Sequence, residues 1–427
     1  MQAHYRAQCR LAGVDPPQER GVSSCGVCGY RMEPFISFGR MPLANGFLRA
    51  EDFAGEDFFD LGAAFCERCA LPQLVQCVPR ERMFNDRYPF FTSSSAAMAA
   101  HFGEFAAQVA RTCLAQPDPF VVEIGSNDGT LLRHFAAAGT RHLGVEPSAN
   151  VAAAAALQGV HSLQRFFDED AAHDIVRDHG QADAVLAANC FCHVQDLEGL
   201  AAGIERMLKP RGVLVFEDPY LGDILRDTAY DQIYDEHVYY FSVTGVSRWL
   251  ERHGFEVVEA APQPVHGGSM RYTAARRGVR PAGASVAAWL RDESGRELQR
   301  PETYARFRRR VEESRDALVA LLRDLKRGGK RVAGYGATSK STTVLNFCGI
   351  TPELIEFISD TTPLKQSKFT PGTHIPVRAP AEFAARYPDY AVLFAWNHAA
   401  EILPKESGFR RAGGRWIVYV PEVKLLD

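Results

Sequence analysis

The sequence lacks a surplus of charge of either sign, and it lacks long apolar runs. Its 427 residues carry 48 basic and 52 acidic side chains, which leaves a formal net charge of −4. A chain so balanced has no general attraction for nucleic acid or for an anionic membrane surface. No apolar run reaches the roughly 18 residues needed to cross a bilayer, and the first residues lack a signal peptide's apolar segment. We therefore expect a cytoplasmic, monomeric protein that acts on a small molecule.

Cysteine, in contrast, is not scarce. The chain has ten cysteines, and four of them form two C-x-x-C pairs, Cys25 with Cys28 and Cys66 with Cys69. In a cytoplasmic protein such thiols indicate metal binding rather than disulfides. Four thiolates without an added histidine form a closed, structural zinc site. A redox dithiol is the alternative, but two matched pairs favour zinc on a small β-rich lobe.

A first glycine turn lacks the complete G-x-G-x-x-G pattern. Residues 120–132 are typical of a strand, a glycine turn and a helix start, and the next strand ends in Glu146, 21 residues after Gly125. That spacing fits a carboxylate that binds ribose hydroxyls, whereas a pyrophosphate would need the missing glycine. S-adenosylmethionine has no phosphate, so we predict it as the cofactor. Its predicted site comprises Glu123, Gly125, Asn127, Asp128, Gly129, Glu146, Pro147 and Asn189.

The most informative stretch follows a buried strand over residues 213–219. The strand opens into an irregular segment that contains Tyr234, Glu236 and His237. Ligands of open α/β sheets bind beyond the carboxyl ends of the strands, so these side chains should face a pocket. The alternative is a surface turn with an incidental histidine.

Two further side chains have open roles. His193 follows the carboxyl end of another predicted strand, where it either faces the pocket or caps a loop. Tyr88 precedes a run of serines that predicts a helix start. Its ring either packs in the core or presents its hydroxyl to the pocket.

A second glycine turn begins another α/β unit at residues 331–343. Hydroxyl side chains and Lys340 stand where a third glycine would be, so a helix N-terminus and an ammonium group would face an anion. A nucleoside diphosphate fits, with Lys365 as a further positive group. A nicotinamide site is the alternative, because Asp360 lies 24 residues after Gly336.

Together these motifs resemble the sugar C-methyltransferases of deoxysugar biosynthesis. The closest resemblance is to enzymes of tetronitrose- and kijanose-type pathways, which methylate carbon 3 of a dTDP-linked 3-amino-4-keto sugar. The shared stretches are the two cysteine pairs and residues 122–129, 216–224, 231–237, 265–268, 334–341 and 393–399.

The resemblance implies a reaction and a set of residues for it. It implies that His237 is the base, with Tyr234, Glu236, His193 and Tyr88 around the reacting sugar. The 4-keto group acidifies the proton on carbon 3', and the enolate left after its removal attacks the methyl group of S-adenosylmethionine. The predicted substrate contacts are His266, Gly267, Gly268, Arg271, Tyr335, Ala337, Thr338, Ser339, Lys340, Asp360, Lys365, Asn397 and His398.

We therefore expect an α/β enzyme of antibiotic biosynthesis with three domains. A zinc-binding N-terminal domain occupies residues 1–95, and about the first twenty of these residues form a loose tail. A Rossmann-like S-adenosylmethionine-dependent methyltransferase domain spans residues 96–264, and a second Rossmann-like domain that holds dTDP spans residues 265–427. The alternatives are an O- or N-methyltransferase of a nucleotide sugar, a C-methyltransferase acting at carbon 5', and a zinc-linked interaction protein without enzymatic activity.

Overall fold

The computed structural model of the chain describes residues 23–86 and 88–426. The loose tail expected at the N-terminus lies outside these residues. The strands are β1 Ser23–Ser24, β2 Arg31–Met32, β3 Pro34–Pro42, β4 Phe58–Cys66, β5 Leu71–Leu74, β6 Phe120–Ile124, β7 Arg141–Val145, β8 Ser162–Leu163, β9 Ala182–Ala188, β10 Leu208–Pro219, β11 Phe255–Gln263, β12 Ser269–Arg276, β13 Val332–Tyr335, β14 Ile358–Ser359, β15 Val377–Arg378, β16 Tyr390–Leu393, β17 Arg415–Val418 and β18 Lys424–Leu426.

Helices alternate with these strands through most of the chain. The α-helices are α1 Arg80–Met83, α2 Ala96–Cys113, α3 Leu132–Ala137, α4 Ala149–Ala156, α5 Glu169–His179, α6 Leu197–Met207, α7 Leu221–Asp227, α8 Val243–Glu251, α9 Ala284–Gly295, α10 Pro301–Arg327, α11 Ser339–Phe347, α12 Pro380–Ala385, α13 Ala399–Lys405 and α14 Ser407–Arg411. Within the described ranges, none of the helices combines the length and hydropathy that crossing a membrane requires.

The N-terminal lobe is rich in β-structure, as the sequence predicts. Strands β1 and β2 form a hairpin, and β3, β4 and β5 form an antiparallel sheet. The apolar side chains of this sheet pack toward the long helix α10. Phe65 stacks on Tyr304 of that helix with the ring centroids 4.3 Å apart. The lobe is thus joined to the C-terminal half by a shared apolar core.

The middle unit is a seven-stranded sheet in the order β11-β12-β10-β9-β6-β7-β8. Strands β6 to β10 are parallel, and β12 is antiparallel to both of its neighbours. All five side chains of β6 are buried, as expected for a parallel strand covered on both faces. The chain reverses direction across the sheet at β6, which lies between β7 and β9. Ligands of doubly wound sheets bind at such a switch point.

The C-terminal unit is a second doubly wound sheet, in the order β15-β14-β13-β16-β17-β18. Its first strand, β13, lies at the switch point between β14 and β16. The helical periodicity over residues 302–327 corresponds to α10, which buries Phe307, Val311, Leu318 and Leu322. The two Rossmann-like α/β units predicted from the sequence are therefore confirmed.

Candidate active site

Four cysteines meet at one point of the N-terminal lobe. The sulfur atoms of Cys25, Cys28, Cys66 and Cys69 all lie within 4.8 Å of one another. Zinc bound to four thiolates at about 2.3 Å would separate the sulfurs by about 3.8 Å, close to the 3.6 Å between Cys28 and Cys66 and the 4.0 Å between Cys25 and Cys69. These donors therefore fit a closed tetrahedral zinc site.

Polar groups around the four thiols support the same interpretation. The amide of Cys69 donates a hydrogen bond to the sulfur of Cys66, and the side-chain amide of Gln73 donates to the sulfur of Cys25. Amide donors of this kind orient metal-bound thiolates. Gln73 also accepts from the amide of Gly26, so it fixes the first cysteine turn.

A cleft opens at the carboxyl edge of the middle sheet. Of the predicted cofactor residues, it is lined by Glu123, Gly125, Asn127, Glu146, Pro147 and Asn189. Asp128 and Gly129 support the turn instead. The Asp128 carboxylate accepts from the Ser93 amide and the Thr130 hydroxyl, and a Cβ atom on Gly129 would lie 2.9 Å from a methyl group of Val160.

Two carboxylates, Glu123 and Glu146, line this cleft, and that of Asp128 lies behind the turn. Burial raises the pKa of Glu123 well above its usual value, and the negative charges of Asp128 and Glu146 raise it further. Glu123 Oε2 is buried without a hydrogen-bond partner among the described residues. A ligand that carries positive charge would satisfy this oxygen. The sulfonium and amino groups of S-adenosylmethionine therefore fit the cleft.

Glu146 connects the turn that follows β6 with the turn that follows β7, at the end of the cleft. Its Oε2 accepts from the Asn127 amide at 3.0 Å, and its Oε1 accepts from the Ser148 amide at 2.8 Å. Asp360 makes the equivalent connection in the C-terminal unit, where it accepts from the amides of Ala337 and Thr362, both at 2.7 Å. Glu146 is the ribose-binding candidate that the sequence predicts, and Asp360 is one of the predicted substrate contacts.

Asn127 attaches a separate segment to the glycine turn. Its φ of 47° lies in the left-handed region, which asparagine tolerates better than most residues. Its side-chain oxygen accepts from the amide and hydroxyl of Thr92, and its side-chain nitrogen donates to the carbonyl of Phe90. Asn150 donates to the carbonyl of Tyr88. The segment that carries Tyr88 is thus held over the cofactor cleft.

Tyr234 and His237 are buried, which overturns the alternative of a surface turn. His237 Nδ1 lies 2.9 Å from the carbonyl oxygen of Gln232, and a carbonyl can only accept a hydrogen bond. Nδ1 therefore carries the proton, and Nε2 is the basic nitrogen, 2.9 Å from the Tyr234 hydroxyl. Burial, aided by the nearby His193 and Lys340, lowers the pKa of His237 well below its usual value. The ring is a neutral base at neutral pH.

His193 lies against this ring and also lines the cofactor cleft. Its ring centroid is 5.3 Å from that of His237 and 5.5 Å from that of Phe84. Burial lowers the pKa of His193 to about 4. The imidazole is therefore neutral and connects the cofactor cleft to the catalytic candidates.

Glu236 lies between two side chains from the N-terminal part of the chain. Asn45 donates to its Oε1 at 2.6 Å, and the Tyr88 hydroxyl lies 3.5 Å from its Oε2. Burial raises the pKa of Glu236 to about 7 and that of Tyr88 well above its usual value. Sequence reasoning missed Asn45, because its loop belongs to the zinc lobe.

The C-terminal unit contributes two lysines to the same region. Lys340 donates to the carbonyl of His266 at 3.3 Å, and Lys365 donates to the carbonyl of Ala337 at 2.8 Å. Thr338 caps helix α11 by accepting from the Ser341 amide, and Ser339 is the first residue of that helix.

The loop over residues 266–268 and the segment that begins at Trp396 lie beside these lysines. The Trp396 ring leaves no room for a Cβ atom on Gly267, and Asp223 leaves none on Gly268. Burial lowers the pKa of His266 to about 3 and also lowers that of His398, with Lys340 the second cause for both. His398 is half-buried, as is its neighbour Asn397.

Two predicted substrate residues are not brought to this region. Arg271 is buried in β12, where its guanidinium pairs with Glu217 at 2.7 Å and lies over the Phe105 ring. The Tyr335 ring packs against Phe383 and Trp416, and its hydroxyl donates to a glutamate carboxylate at 2.7 Å. Both side chains hold the sheets together, so neither is retained as a substrate contact.

Several polar atoms around the site have no hydrogen-bond partner within residues 23–86 and 88–426. They are Glu123 Oε2, Asn189 Oδ1, His193 Nε2, Asp218 Oδ2, Asp231 Oδ1 and Gln232 Oε1. Leaving buried polar atoms unpaired is costly, so their concentration here is typical of a ligand site.

Three family models match successive parts of the chain. Residues 25–84 match a zinc binding domain, residues 98–260 match a methyltransferase domain, and residues 264–421 match a C-methyltransferase C-terminal domain. The C-methyltransferase NovU of Streptomyces niveus is 37% identical over 415 residues, which cover 96% of this chain and 98% of that protein. The chain belongs to the C-methyltransferase family. It is an S-adenosylmethionine-dependent C-methyltransferase with the family's zinc-binding domain at its N-terminus.

Solved structures resemble part of this C-methyltransferase. Magnesium protoporphyrin IX methyltransferase ChlM from Synechocystis PCC 6803 is 15% identical, covers 46% of this chain and 89% of its own, and has a TM-score of 0.32. The glycopeptide N-methyltransferase MtfA with bound S-adenosylmethionine is 16% identical, covers 42% of this chain and 93% of its own, and also has a TM-score of 0.32.

Proposed function

We propose that this C-methyltransferase methylates carbon 3' of a dTDP-linked 4-keto-deoxysugar, dTDP-3-amino-2,3,6-trideoxy-4-keto-hexose, in the biosynthesis of an unusual deoxysugar of an antibiotic. The observation that carries the proposal is the buried, neutral imidazole of His237. Its basic Nε2 lies beside Tyr234, and its ring stacks on His193 at the edge of the cofactor cleft. Carbon methylation requires a base in such a position to remove the proton from carbon 3'. Transfer to an oxygen or amine would not need an acidified carbon, so exchange of the carbon 3' hydrogen with solvent distinguishes these reactions.

The proposed reaction begins with loss of the proton on carbon 3'. The carbon–hydrogen bond breaks, the proton passes to His237 Nε2, and the electron pair spreads onto the keto oxygen at carbon 4'. S-adenosylmethionine, when bound, supplies an electrophilic methyl group whose bond to sulfur breaks as the new bond to carbon 3' forms. A positioned imidazole typically contributes about 10²–10⁴-fold to the rate of such a proton transfer.

The residues around His237 have distinct proposed roles. The Tyr234 hydroxyl donates to Nε2 before the substrate enters, and it donates to the keto oxygen afterwards. Glu236, held by Asn45, accepts from Tyr88 and from the amino group at carbon 3'. His193 holds the sugar against the cofactor. Each role requires a polar contact that a sugar ring with keto and amino groups can supply.

The nucleotide is proposed to bind in the C-terminal unit. The first turn of α11 presents its N-terminus, and the positive end of a helix favours phosphate. Asp360 is proposed to bind the deoxyribose hydroxyl from its position between the two turns. The proposed domains are the zinc lobe in residues 1–95, the methyltransferase domain in residues 96–264 and the nucleotide-sugar domain in residues 265–427. Strand β12, near the start of the last range, pairs within the middle sheet rather than with the strands of the C-terminal sheet. The enzyme is proposed to act as a cytoplasmic monomer.

The substrate is tested by incubating the full-length protein with S-adenosylmethionine and a panel of dTDP-linked 4-keto sugars. Mass spectrometry and carbon NMR of the products should locate the new methyl group on carbon 3'. A methyl group on oxygen, on nitrogen or on carbon 5' would replace the proposal with one of those alternatives. Titration of the full-length protein with dTDP and with NAD should give binding of dTDP alone, whereas tighter NAD binding would favour a nicotinamide site.

A further inference from the structure

The side chain of Lys340 lies between the two α/β units. Its backbone lies in the first turn of α11 in the C-terminal unit. Its ammonium group nevertheless donates to the carbonyl of His266 in the middle unit. The side-chain amide of Gln232 donates to the same carbonyl at 2.6 Å. The backbone carbonyl of Gln232 in turn accepts from His237 Nδ1. Lys340 and His237 are therefore joined through only two residues, His266 and Gln232.

The positive charge of Lys340 reaches the catalytic candidates. It helps to lower the pKa of His237, of His266 and of His398, in each case after the larger effect of burial. This effect agrees with the hydrogen bond from Lys340 to the His266 carbonyl, which directs the ammonium group toward the middle unit.

Asp231 interacts electrostatically with Lys340 and bears on what the ammonium group can bind. Asp231 is fully buried, and its Oδ2 accepts from the Trp396 indole at 2.6 Å and the Tyr419 hydroxyl at 2.8 Å. Its Oδ1 has no partner within the described residues. Burial raises the pKa of Asp231, and the nearby charge of Lys340 opposes that rise. Whenever Asp231 is ionised, it disfavours a phosphate at this position more than a neutral ketone. A ketone oxygen gains negative charge only as the reaction proceeds, when an ammonium donor stabilises it most.

We infer that Lys340 donates to the 4-keto oxygen of the sugar and stabilises the enolate, and that it does not bind the diphosphate. This inference rests on the proposed function. As the bond between carbon 3' and hydrogen breaks, the proton goes to His237 and the electron pair to the keto oxygen. Lys340 keeps its proton and supplies a charge-assisted hydrogen bond to that oxygen. The nucleotide's phosphates are then left to the amides of the α11 turn.

The test compares Lys340→Met with Lys405→Met in the full-length protein. Lys405 is exposed at the end of α13, so the same substitution there serves as a matched control. In deuterated water with a dTDP-4-keto sugar, Lys340→Met should lower the rate of hydrogen exchange at carbon 3' by about 10²–10³-fold. Its affinity for dTDP, which has no ketone, should equal that of the parent protein. Lys405→Met should match the parent in both measurements.

The opposite pattern would overturn the inference. Weaker dTDP binding with an unchanged exchange rate at saturating sugar would assign Lys340 to the diphosphate. Lys340→Gln, which keeps a donor without the charge, provides a second measurement if the Met variant does not fold, and its exchange rate should also fall. If the parent protein itself exchanged no hydrogen at carbon 3' of any 4-keto sugar, the proposed function would fail, independently of Lys340.

Discussion

The Tyr234 hydroxyl lies 2.9 Å from Nε2 of His237, on the opposite side of the ring from the Gln232 carbonyl that fixes Nδ1. The imidazole is therefore held at both nitrogens in one tautomer and one orientation. The nitrogen that can accept a proton, Nε2, is the one beside the Tyr234 hydroxyl. The base is therefore oriented before the substrate binds.

The first prediction concerns zinc. Cys66→Ser should lower the stability of the protein and not only its activity, because structural zinc binding is part of the folding free energy. Metal analysis of the native protein should find zinc, and thermal unfolding should show a lower midpoint for the variant. Cys77 is an exposed cysteine outside the cluster, so Cys77→Ser should unfold like the parent. Native protein without bound zinc would refute the metal site.

The second prediction concerns Glu146 and the cofactor. Glu146→Ala should weaken binding of S-adenosylmethionine by about 1.5–3 kcal/mol, the range for hydrogen bonds to a charged group. Calorimetric titration of the full-length protein measures this, with Glu104→Ala on an exposed face of α2 as the control. An unchanged affinity in Glu146→Ala would mean that Glu146 only supports the two turns whose amides it binds.

The third prediction separates two properties of Asn127. Asn127→Gly keeps the left-handed backbone but removes the contacts to Phe90 and Thr92, so it should fold normally and raise the KM for both substrates. Asn127→Ala should in addition be less stable than Asn127→Gly by about 1 kcal/mol, because alanine is disfavoured at positive φ. Chemical denaturation compares the two variants. Equal stability would show that the turn relaxes to another backbone conformation.

The fourth prediction concerns pH and Glu236. Burial raises the pKa of Glu236 in the folded chain from 4.5 to about 7. Between these values Glu236 binds more protons in the folded chain than in the unfolded chain, so its contribution to the free energy of unfolding should fall as pH rises. Asp235, whose pKa burial raises to about 8, contributes in the same direction.

Glu236→Gln should therefore lose less stability than the parent when the pH is raised from 5 to 8, as measured by denaturant unfolding at each pH. Asp57→Asn, a substitution at an exposed carboxylate, should follow the parent. If Glu236→Gln lost as much stability as the parent over this interval, the result would contradict a raised pKa for Glu236.

The strands and turns could be predicted from sequence because their signals are local. Buried parallel strands are continuous apolar runs, and the two glycine turns each begin a helix, so the order of β6, β7, β13 and β14 follows from the sequence. The four zinc ligands could be predicted in the same way, since each C-x-x-C pair forms one local turn.

The contacts between units could not be predicted in this way. Asn45 meets Glu236 across 191 positions of the chain, and Lys340 meets His266 across 74. Spacing along the sequence carries no information on such contacts. Arg271 illustrates the reverse error: it was among the substrate contacts predicted with the family resemblance, whereas its guanidinium already pairs with Glu217 on the neighbouring strand.

The most direct test of the account is hydrogen exchange at carbon 3' by His237→Asn, without S-adenosylmethionine, in deuterated water with a dTDP-4-keto sugar. Asparagine keeps some hydrogen bonding but cannot accept the proton. The rate of exchange, and the rate of methylation measured separately with S-adenosylmethionine, should therefore fall together by about 10²–10⁴-fold. Both rates should fall less in Tyr234→Phe and in Glu236→Gln than in His237→Asn. Exchange at the parent rate in His237→Asn, with methylation lost, would contradict His237 as the base and would move that role to His193, Tyr88 or Tyr234.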